Sequence, residues 1–393
     1  MKKLLFITWD GPQVSYLEGL FYPILEGLQE EYAVHVIQFT WGDRALSDRT
    51  GELFRSSGMR YTRIDVGPRA VVSIGIFLTM IRGIFVLRSY IRRENIDIIL
   101  FRSTYPGLMA LLLQGRKRKR VFDTDGLPLE EKVDFAGLDP RGLSFRWMKM
   151  AEGASVRRSH RVLVRSMKAL TALPDDHRPE KFRVVLNGRD AELFKPPAPA
   201  DRQVFRRTLG VDDQELLLAY CGSLGAQYCF QEMIDVLDIV LRRRRARLML
   251  LTGSPEYIDR FSLEPRLRER LLIYTVPPAD VPLYLGAADA GLAIRKVAPS
   301  TRAVSPVKLG EYLLCGLPVV ASPGIGDSED ILRNQEACLL LGDCTPASLE
   351  VAAGWLGRVA GDPRVQASAR KLGLEKFGLS DSILSYRKAL EGL

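Results

Sequence analysis

The feature that most constrains this chain is a strand–helix alternation that runs through it twice, interrupted once by a proline-rich segment. In the first half, the apolar runs Leu4–Trp9 and Val34–Thr40 flank a helical stretch, Val14–Glu30. Tyr61–Val66, Ile96–Arg102, Val121–Asp123, Val162–Val164 and Val184–Leu186 are further strand candidates. Short β-rich runs separated by helical segments predict βαβ units and a mainly parallel sheet. The run Phe194-Lys195-Pro196-Pro197-Ala198-Pro199-Ala200 offers no regular element and reads as an interdomain linker. Beyond it, Leu216–Cys221, Leu248–Thr252, Leu271–Val276, Ala290–Ile294, Pro318–Ala321 and Cys338–Leu341 repeat the pattern. A chain of 393 residues is too long for one ordinary core. Two α/β domains are therefore expected, at 1–192 and 193–372, followed by a C-terminal helical segment, 373–393.

Composition narrows the class. An apolar content of 47% with few aromatics suits a soluble globular protein. Met1-Lys2-Lys3 leads straight into Leu4–Trp9, too short and wrongly followed for a signal peptide. Cys221, Cys229, Cys315, Cys338 and Cys344 show no C-x-x-C spacing, and their odd number argues for reduced thiols in a cytoplasmic protein. With His35, His160 and His177 as the full histidine complement, no metal is expected. Met1 to Lys195 holds 32 Lys and Arg against 23 Asp and Glu, whereas the remainder is balanced at 24 each. All of the excess positive charge lies in the first half. That asymmetry suggests an anionic partner there, a membrane surface or a phosphorylated acceptor.

The run from Ser305 to Ser322 carries the clearest chemistry. Ser305 is a good N-cap and Pro306 suits the first helical position. The free N–H groups of Val307 and its neighbours would point out of the helix start, where the dipole favours phosphate. Lys308 adds a cation at that end, and Glu311 follows one turn on. Gly316 stops the helix, Pro318 prevents its continuation, and Val319-Val320-Ala321 reads as a buried strand. Cap, cation, acid and strand together suit a sugar diphosphate. An ordinary capped helix of an α/β domain is the plain alternative.

This run resembles the S-P-x-K-x-x-E-Y-x-x-C-G-x-P-V-V signature of retaining GT-B glycosyltransferases of the family-four (glycosyl transferases group 1) type. The resemblance is closest over 181–330 and extends more loosely over 1–180. It implies two Rossmann-like domains facing across a cleft, with the last helix crossing back toward the first domain. It also implies sugar transfer from a nucleotide donor to an acceptor hydroxyl without a metal, a cofactor or a covalent nucleophile. Glu311 matches the second acid of the family's E-x7-E motif, which typically accepts hydrogen bonds from the donor ribose. The first acid would fall at Ala303 and is absent. Cys221-Gly222-Ser223-Leu224-Gly225 resembles the family's G-R-L…K-G element, with Ser223 where the diphosphate-binding Arg would stand. Lys308, Arg295 and Lys296 are the substitute cations, although Arg295 and Lys296 also read as simple loop charges. Tyr274-Thr275-Val276-Pro277 looks like the base-binding strand end, where main-chain groups of Tyr274 and Val276 would meet the nucleobase. Asn187-Gly188-Arg189-Asp190 resembles the family's hinge sequence and reads physically as a turn.

Two sites of the first half complete the picture. Asp10-Gly11-Pro12 follows the first strand, where open α/β sheets bind ligands; the resemblance implies that Gly11 is approached by the donor diphosphate and the acceptor, with a plain tight turn as the alternative. Phe122-Asp123-Thr124-Asp125-Gly126 places Asp123 and Asp125 at a strand end, where paired acids could take a proton from an acceptor hydroxyl. Helix capping by Asp125 and counter-charge for Arg116–Arg120 are the alternatives. Many relatives carry a histidine after an earlier strand, but Phe101-Arg102-Ser103-Thr104-Tyr105-Pro106 holds none.

Ala70–Ile91 raises the membrane question. Ala70–Ile81 is uncharged and apolar, but Arg82, Arg88, Arg92 and Arg93 interrupt and follow it, short of the roughly 20 apolar residues of a spanning helix. Two readings stand, a helix packed in the first domain or one lying in the lipid interface near Arg116-Lys117-Arg118-Lys119-Arg120. The resulting expectation is a cytoplasmic glycosyltransferase of bacterial surface polysaccharide or lipid-linked glycan biosynthesis. It would use a nucleotide sugar, a glycan or lipid-linked acceptor and peripheral contact with the anionic inner face of the cell membrane, with no nucleic-acid partner. The alternatives are a catalytically weak sugar-nucleotide-binding scaffold and a nucleotide-sugar 2-epimerase.

Overall fold

The computed structural model describes every residue except 12–15, 43, 68–71, 114–117 and 174–177. Pro12, Ala70, Arg116, Lys117 and His177 therefore lie outside the described residues. Two units are present: Met1–Leu186 together with Ser382–Leu393, and Asn187–Asp381.

The first unit is built on seven strands: β1 (Lys2–Trp9), β2 (Tyr32–Thr40), β3 (Arg60–Asp65), β4 (Ile98–Arg102), β5 (Lys119–Asp123), β6 (Arg161–Val164) and β7 (Phe182–Val184). Their order is β3-β2-β1-β4-β5-β6-β7, and every pairing is parallel. Leu4, Leu5, Phe6 and Ile7 are fully buried, as a central strand covered by helices on both faces requires. The strand order reverses at β1, which pairs with β2 on one side and β4 on the other. Ligands of such sheets bind at that reversal, outside the carboxyl ends of the strands. Residues 382–393 close the unit: Arg387 Nη2 donates to the Gly27 carbonyl at 2.7 Å, and Ile383 packs on Gly27.

The second unit has six parallel strands: β8 (Leu216–Cys221), β9 (Ala246–Leu251), β10 (Leu271–Tyr274), β11 (Ala290–Ala293), β12 (Val319–Ala321) and β13 (Cys338–Leu340). The order is β10-β9-β8-β11-β12-β13, so the reversal lies at β8, between β9 and β11. Asn187–Glu192 and the helix Pro363–Phe377 belong to this unit. The linker expectation needs correcting, because Phe194–Ala200 lies within the second unit, with Phe194 buried in its core and Pro199 opening the helix Pro199–Thr208. Its fixed φ and missing N–H cost nothing at a first helical turn.

The helix Val72–Arg93 spans 22 residues, with Leu87, Tyr90 and Ile91 buried and Phe77, Leu78, Ile81 and Phe85 exposed. Among the described residues no helix is long and apolar enough to cross a membrane.

Candidate functional site

At the reversal of the second sheet, the loop after β8 meets the start of the helix Val307–Leu314. Gly222 takes φ +134°, and a Cβ there would lie 3.2 Å from Lys308 Nζ. Only glycine combines that backbone with that approach. Lys308 Nζ sits 3.9 Å from the centre of the Tyr220 ring and 4.5 Å from that of Tyr228. The two ring faces attract the ammonium, but burial and the nearby Arg295 charge bring its pKa down to about 7. Tyr228 also carries the Arg295 guanidinium, 5.1 Å from its ring centre. Two cations thus share one tyrosine at the end of the sheet. Lys296 is exposed beside them.

Glu311 is buried and accepts from Arg189 Nη2 at 2.6 Å. The adjacent Tyr312 hydroxyl accepts from the Cys221 N–H at 2.7 Å, locking the helix to the end of β8. Asn187 Nδ2 donates to the Ser305 carbonyl at 3.1 Å, holding the approach to the helix. The Ser305 expectation is corrected by one residue: Pro306, with φ −68° and ψ 112°, is the N-cap, and the helix begins at Val307. Proline fixes φ but leaves ψ free to stay extended, so it can flank a helix as readily as open it. Val307 and Lys308 remain at the helix start, where the first N–H groups have no partner within the helix and the dipole favours negative charge.

The other predicted residues of this unit take smaller parts. Ser223 is exposed, with its carbonyl accepting from the Tyr220 hydroxyl at 2.5 Å. Tyr274 ends β10, and its carbonyl accepts from the Thr252 N–H at 2.9 Å; Val276 follows in the loop. A cavity of about 20 Å³ lined by Tyr228, Arg295, Lys308 and Ser322 has room for a group the size of water.

The reversal of the first sheet holds a buried charge network. Arg102, at the end of β4, bonds Asp125 at 2.6 Å and lies 3.7 Å from Asp10. Arg165, just past β6, bonds Asp123 at 2.6 Å. Burial raises the carboxyl pKa of Asp125, against the pull of Arg102, while Asp125, Asp123 and Asp10 together hold Arg102 charged against its own burial. Asp123 is fully buried, and it also accepts from the Asp125 N–H at 3.1 Å. Asp123 is thus paired with Arg165 and closed to solvent in this structure. Asp125 does not cap the following helix, Pro128–Ala136, whose N-cap is Leu127. Its counter-charge is Arg102.

Asp125 borders a cavity of about 720 Å³ lined by Trp9, Trp41, Tyr105, Ile76 and Lys132. Ser103 and Asp125, both with positive φ (68° and 57°), line it too. Such backbone is costly for a residue with a Cβ and concentrates at functional sites. Gly11 is buried, and a Cβ on it would come within 2.7 Å of the Trp41 ring. Its place there is explained by this wall. Arg102, Arg165, Arg189, Tyr220 and Tyr228 escaped sequence reasoning, because each acts through a partner distant in the chain.

Comparison with known proteins agrees with this architecture. Residues 21–193 match the model of Glycosyltransferase Family 4. Over 145 residues the chain is 28% identical to TuaH of Bacillus subtilis (strain 168), a protein named provisionally as a teichuronic acid biosynthesis glycosyltransferase. That match takes in 36% of this chain, which spans about a third (34%) of the relative's length. Among solved structures, Anabaena HepE in complex with UDP and glucose matches over 100% of both chains, with a TM-score of 0.74 and 16% identity. WaaG, a glycosyltransferase involved in lipopolysaccharide biosynthesis, matches over 99% of this chain and 100% of its own, with a TM-score of 0.70 and 15% identity. Identities this low speak for the fold, and the fold is GT-B.

Proposed function

We propose that this chain is a retaining glycosyltransferase that moves a sugar from a nucleotide donor to an acceptor hydroxyl. The observation that carries this reading is the convergence of Lys308, Glu311 and Gly222 at the reversal of the second sheet. A nucleoside diphosphate needs a cation, unpaired N–H groups and a backbone without side chains at its phosphates, and an acceptor for its ribose. Lys308, the helix start at Val307, Gly222 and Glu311 meet those needs in turn. Arg295 supplies a second cation in place of the Arg that Ser223 replaces. The leaving diphosphate, stabilised there, would take up the acceptor proton on the same face of the sugar.

The acceptor is assigned to the first unit. Aromatic walls such as Trp9, Trp41 and Tyr105 suit a sugar ring or an apolar carrier, and Asp125 offers a hydrogen-bond acceptor beside them. A lipid-linked acceptor of surface polysaccharide or other glycan biosynthesis fits the outer faces of the same region. On the helix Val72–Arg93, Phe77 and Phe85 are 61% and 69% exposed, with the exposed Arg82 and Arg92 nearby. On the helix Leu143–Arg158, Leu143, Trp147 and Met150 stand out one turn apart, flanked by Arg141 and Arg146. Ile76 and Met148, from the same two helices, line the cavity. Apolar stripes edged by arginine are what peripheral contact with an anionic membrane requires.

The test is incubation with a panel of nucleotide sugars, beginning with UDP-sugars because UDP is the ligand named in the HepE structure. Release of nucleoside diphosphate, with transfer to a lipid-linked or glycan acceptor and an unchanged anomeric configuration by NMR, is the expected outcome. Tight binding without turnover would identify a scaffold instead, and isomerised donor an epimerase.

A further inference from the structure

We propose that Cys229, Glu232 and Cys344 form a zinc site in the second unit, separate from the residues assigned to the sugar donor. Their ligand atoms, two Sγ and one carboxylate oxygen, all lie within 4.8 Å of one another. Three places in the chain build this cluster. Cys229 immediately precedes the helix Phe230–Leu241 and occupies its N-cap position without capping it through its side chain. Glu232 follows in the first turn, three residues on, the spacing that brings two side chains to one side of a helix. Cys344 comes from the loop between β13 and the helix Pro346–Val359, which packs against Phe230–Leu241.

The donor set selects the ion. Two thiolates with a carboxylate suit Zn²⁺, which binds sulfur at about 2.3 Å and carboxylate oxygen at about 2.0–2.2 Å, with water completing a tetrahedron. Tetrahedral geometry then puts the two sulfurs about 3.8 Å apart, so side-chain movements on the order of 1 Å close the cluster from its present spacing. A hard cation such as Mg²⁺ would not choose two sulfurs. The cysteines are not joined as a disulfide. Glu232 forms no salt bridge with an arginine or lysine among the described residues, so this carboxylate faces the two sulfurs without a fixed counter-ion. Lys296 lies near enough to Cys229 to act on it electrostatically, a suitable neighbour for a site with one net negative charge. Cys229 is buried, Glu232 half-buried and Cys344 exposed, so the ion has both a protein wall and a path from solvent.

Binding releases the two thiol protons and joins the start of one helix to the loop before another. The consequence reaches the donor residues through the backbone. Cys229 N–H donates to the Ile294 carbonyl at 3.4 Å, and Lys296 N–H to that of Gln227 at 2.9 Å. The tyrosine between them, Tyr228, is the ring that faces Lys308 and Arg295. The zinc is thus a clip that fixes the segment carrying Tyr228 and takes no part in chemistry.

The experiment titrates the reduced full-length chain with Zn²⁺, and separately with Co²⁺, whose thiolate charge-transfer absorption reports sulfur ligation. One equivalent of Zn²⁺ per chain and a cobalt–thiolate band are expected. Cys344→Ser, at an exposed position that leaves the core untouched, should lose the band and weaken Zn²⁺ by at least about tenfold. Glu232→Gln should weaken Zn²⁺ but keep the band, and Cys338→Ser should change neither. The proposal is overturned if no stoichiometric Zn²⁺ binds, if Cys344→Ser binds as the unaltered chain does, or if Cys338→Ser abolishes the band.

Discussion

Lys308 Nζ rests 3.9 Å from the centre of the Tyr220 ring, against the glycine whose positive φ makes room for it. Burial holds its pKa at about 7, so the free protein carries a mixture of charged and neutral amine at neutral pH. A bound diphosphate favours the charged form. Affinity is therefore full below pH 7 and falls as pH rises through 7, by up to about tenfold per unit. Calorimetry with UDP between pH 6 and 9 should show this slope, and Lys308→Met should bind weakly with the slope gone. An unchanged slope in that variant would remove Lys308 from the diphosphate.

Arg189 and Glu311 form a nearly buried pair 122 residues apart in sequence. Glu311→Gln and Arg189→Met each leave one partner without its counter-charge, which costs about 3–5 kcal/mol for a fully buried pair and somewhat less for one with slight exposure. Denaturant unfolding of both single variants and the double variant should give a coupling well above 1 kcal/mol. Additive losses would mean that the two side chains do not depend on each other.

Asp123 and Asp125 should separate cleanly. Asp123→Asn strands Arg165 in the core and should lower stability by about 3–5 kcal/mol. Asp125→Asn, whose side chain is 32% exposed and whose partner Arg102 keeps other carboxylates, should cost less and act mainly on acceptor KM. Thermal unfolding distinguishes them. Equal destabilisation, with no change in acceptor KM for Asp125→Asn, would contradict this division of roles.

The exposed apolar stripes predict binding to anionic vesicles. Flotation with phosphatidylglycerol liposomes should be strong at low salt and weaker at high salt, as expected for contacts helped by arginine. Phe77→Ser combined with Phe85→Ser should abolish flotation without lowering stability, because both side chains face solvent. Flotation undiminished by that pair would place any membrane contact elsewhere.

Much of the fold was legible because buried parallel strands write themselves as apolar runs: Leu4–Trp9 and Leu216–Cys221 fall almost residue for residue on β1 and β8. The helix at Val307 was legible from its proline and glycine punctuation, although one backbone torsion at Pro306 moved its start. Partnership was not legible. Arg165 and Asp123 lie 42 residues apart and look like ordinary strand-end charges until β5 and β6 pair. Asp123 therefore read as a free acid. The tyrosine setting of Lys308 was hidden for the same reason, since Tyr220 reaches it from the end of another strand. Cys229 and Cys344 are far apart in sequence, so no metal-ligand spacing marked them.

Lys308 and Glu311 are the residues proposed to activate the donor. The deciding measurement is the rate of nucleoside diphosphate release from a nucleotide sugar, for the unaltered chain, Lys308→Met and Glu311→Gln, each first shown to be folded. Release by the unaltered chain that drops at least about a hundredfold in Lys308→Met, and markedly in Glu311→Gln, is the predicted result. Release at the unaltered rate in both variants, or none from any nucleotide sugar with acceptor present, would contradict it.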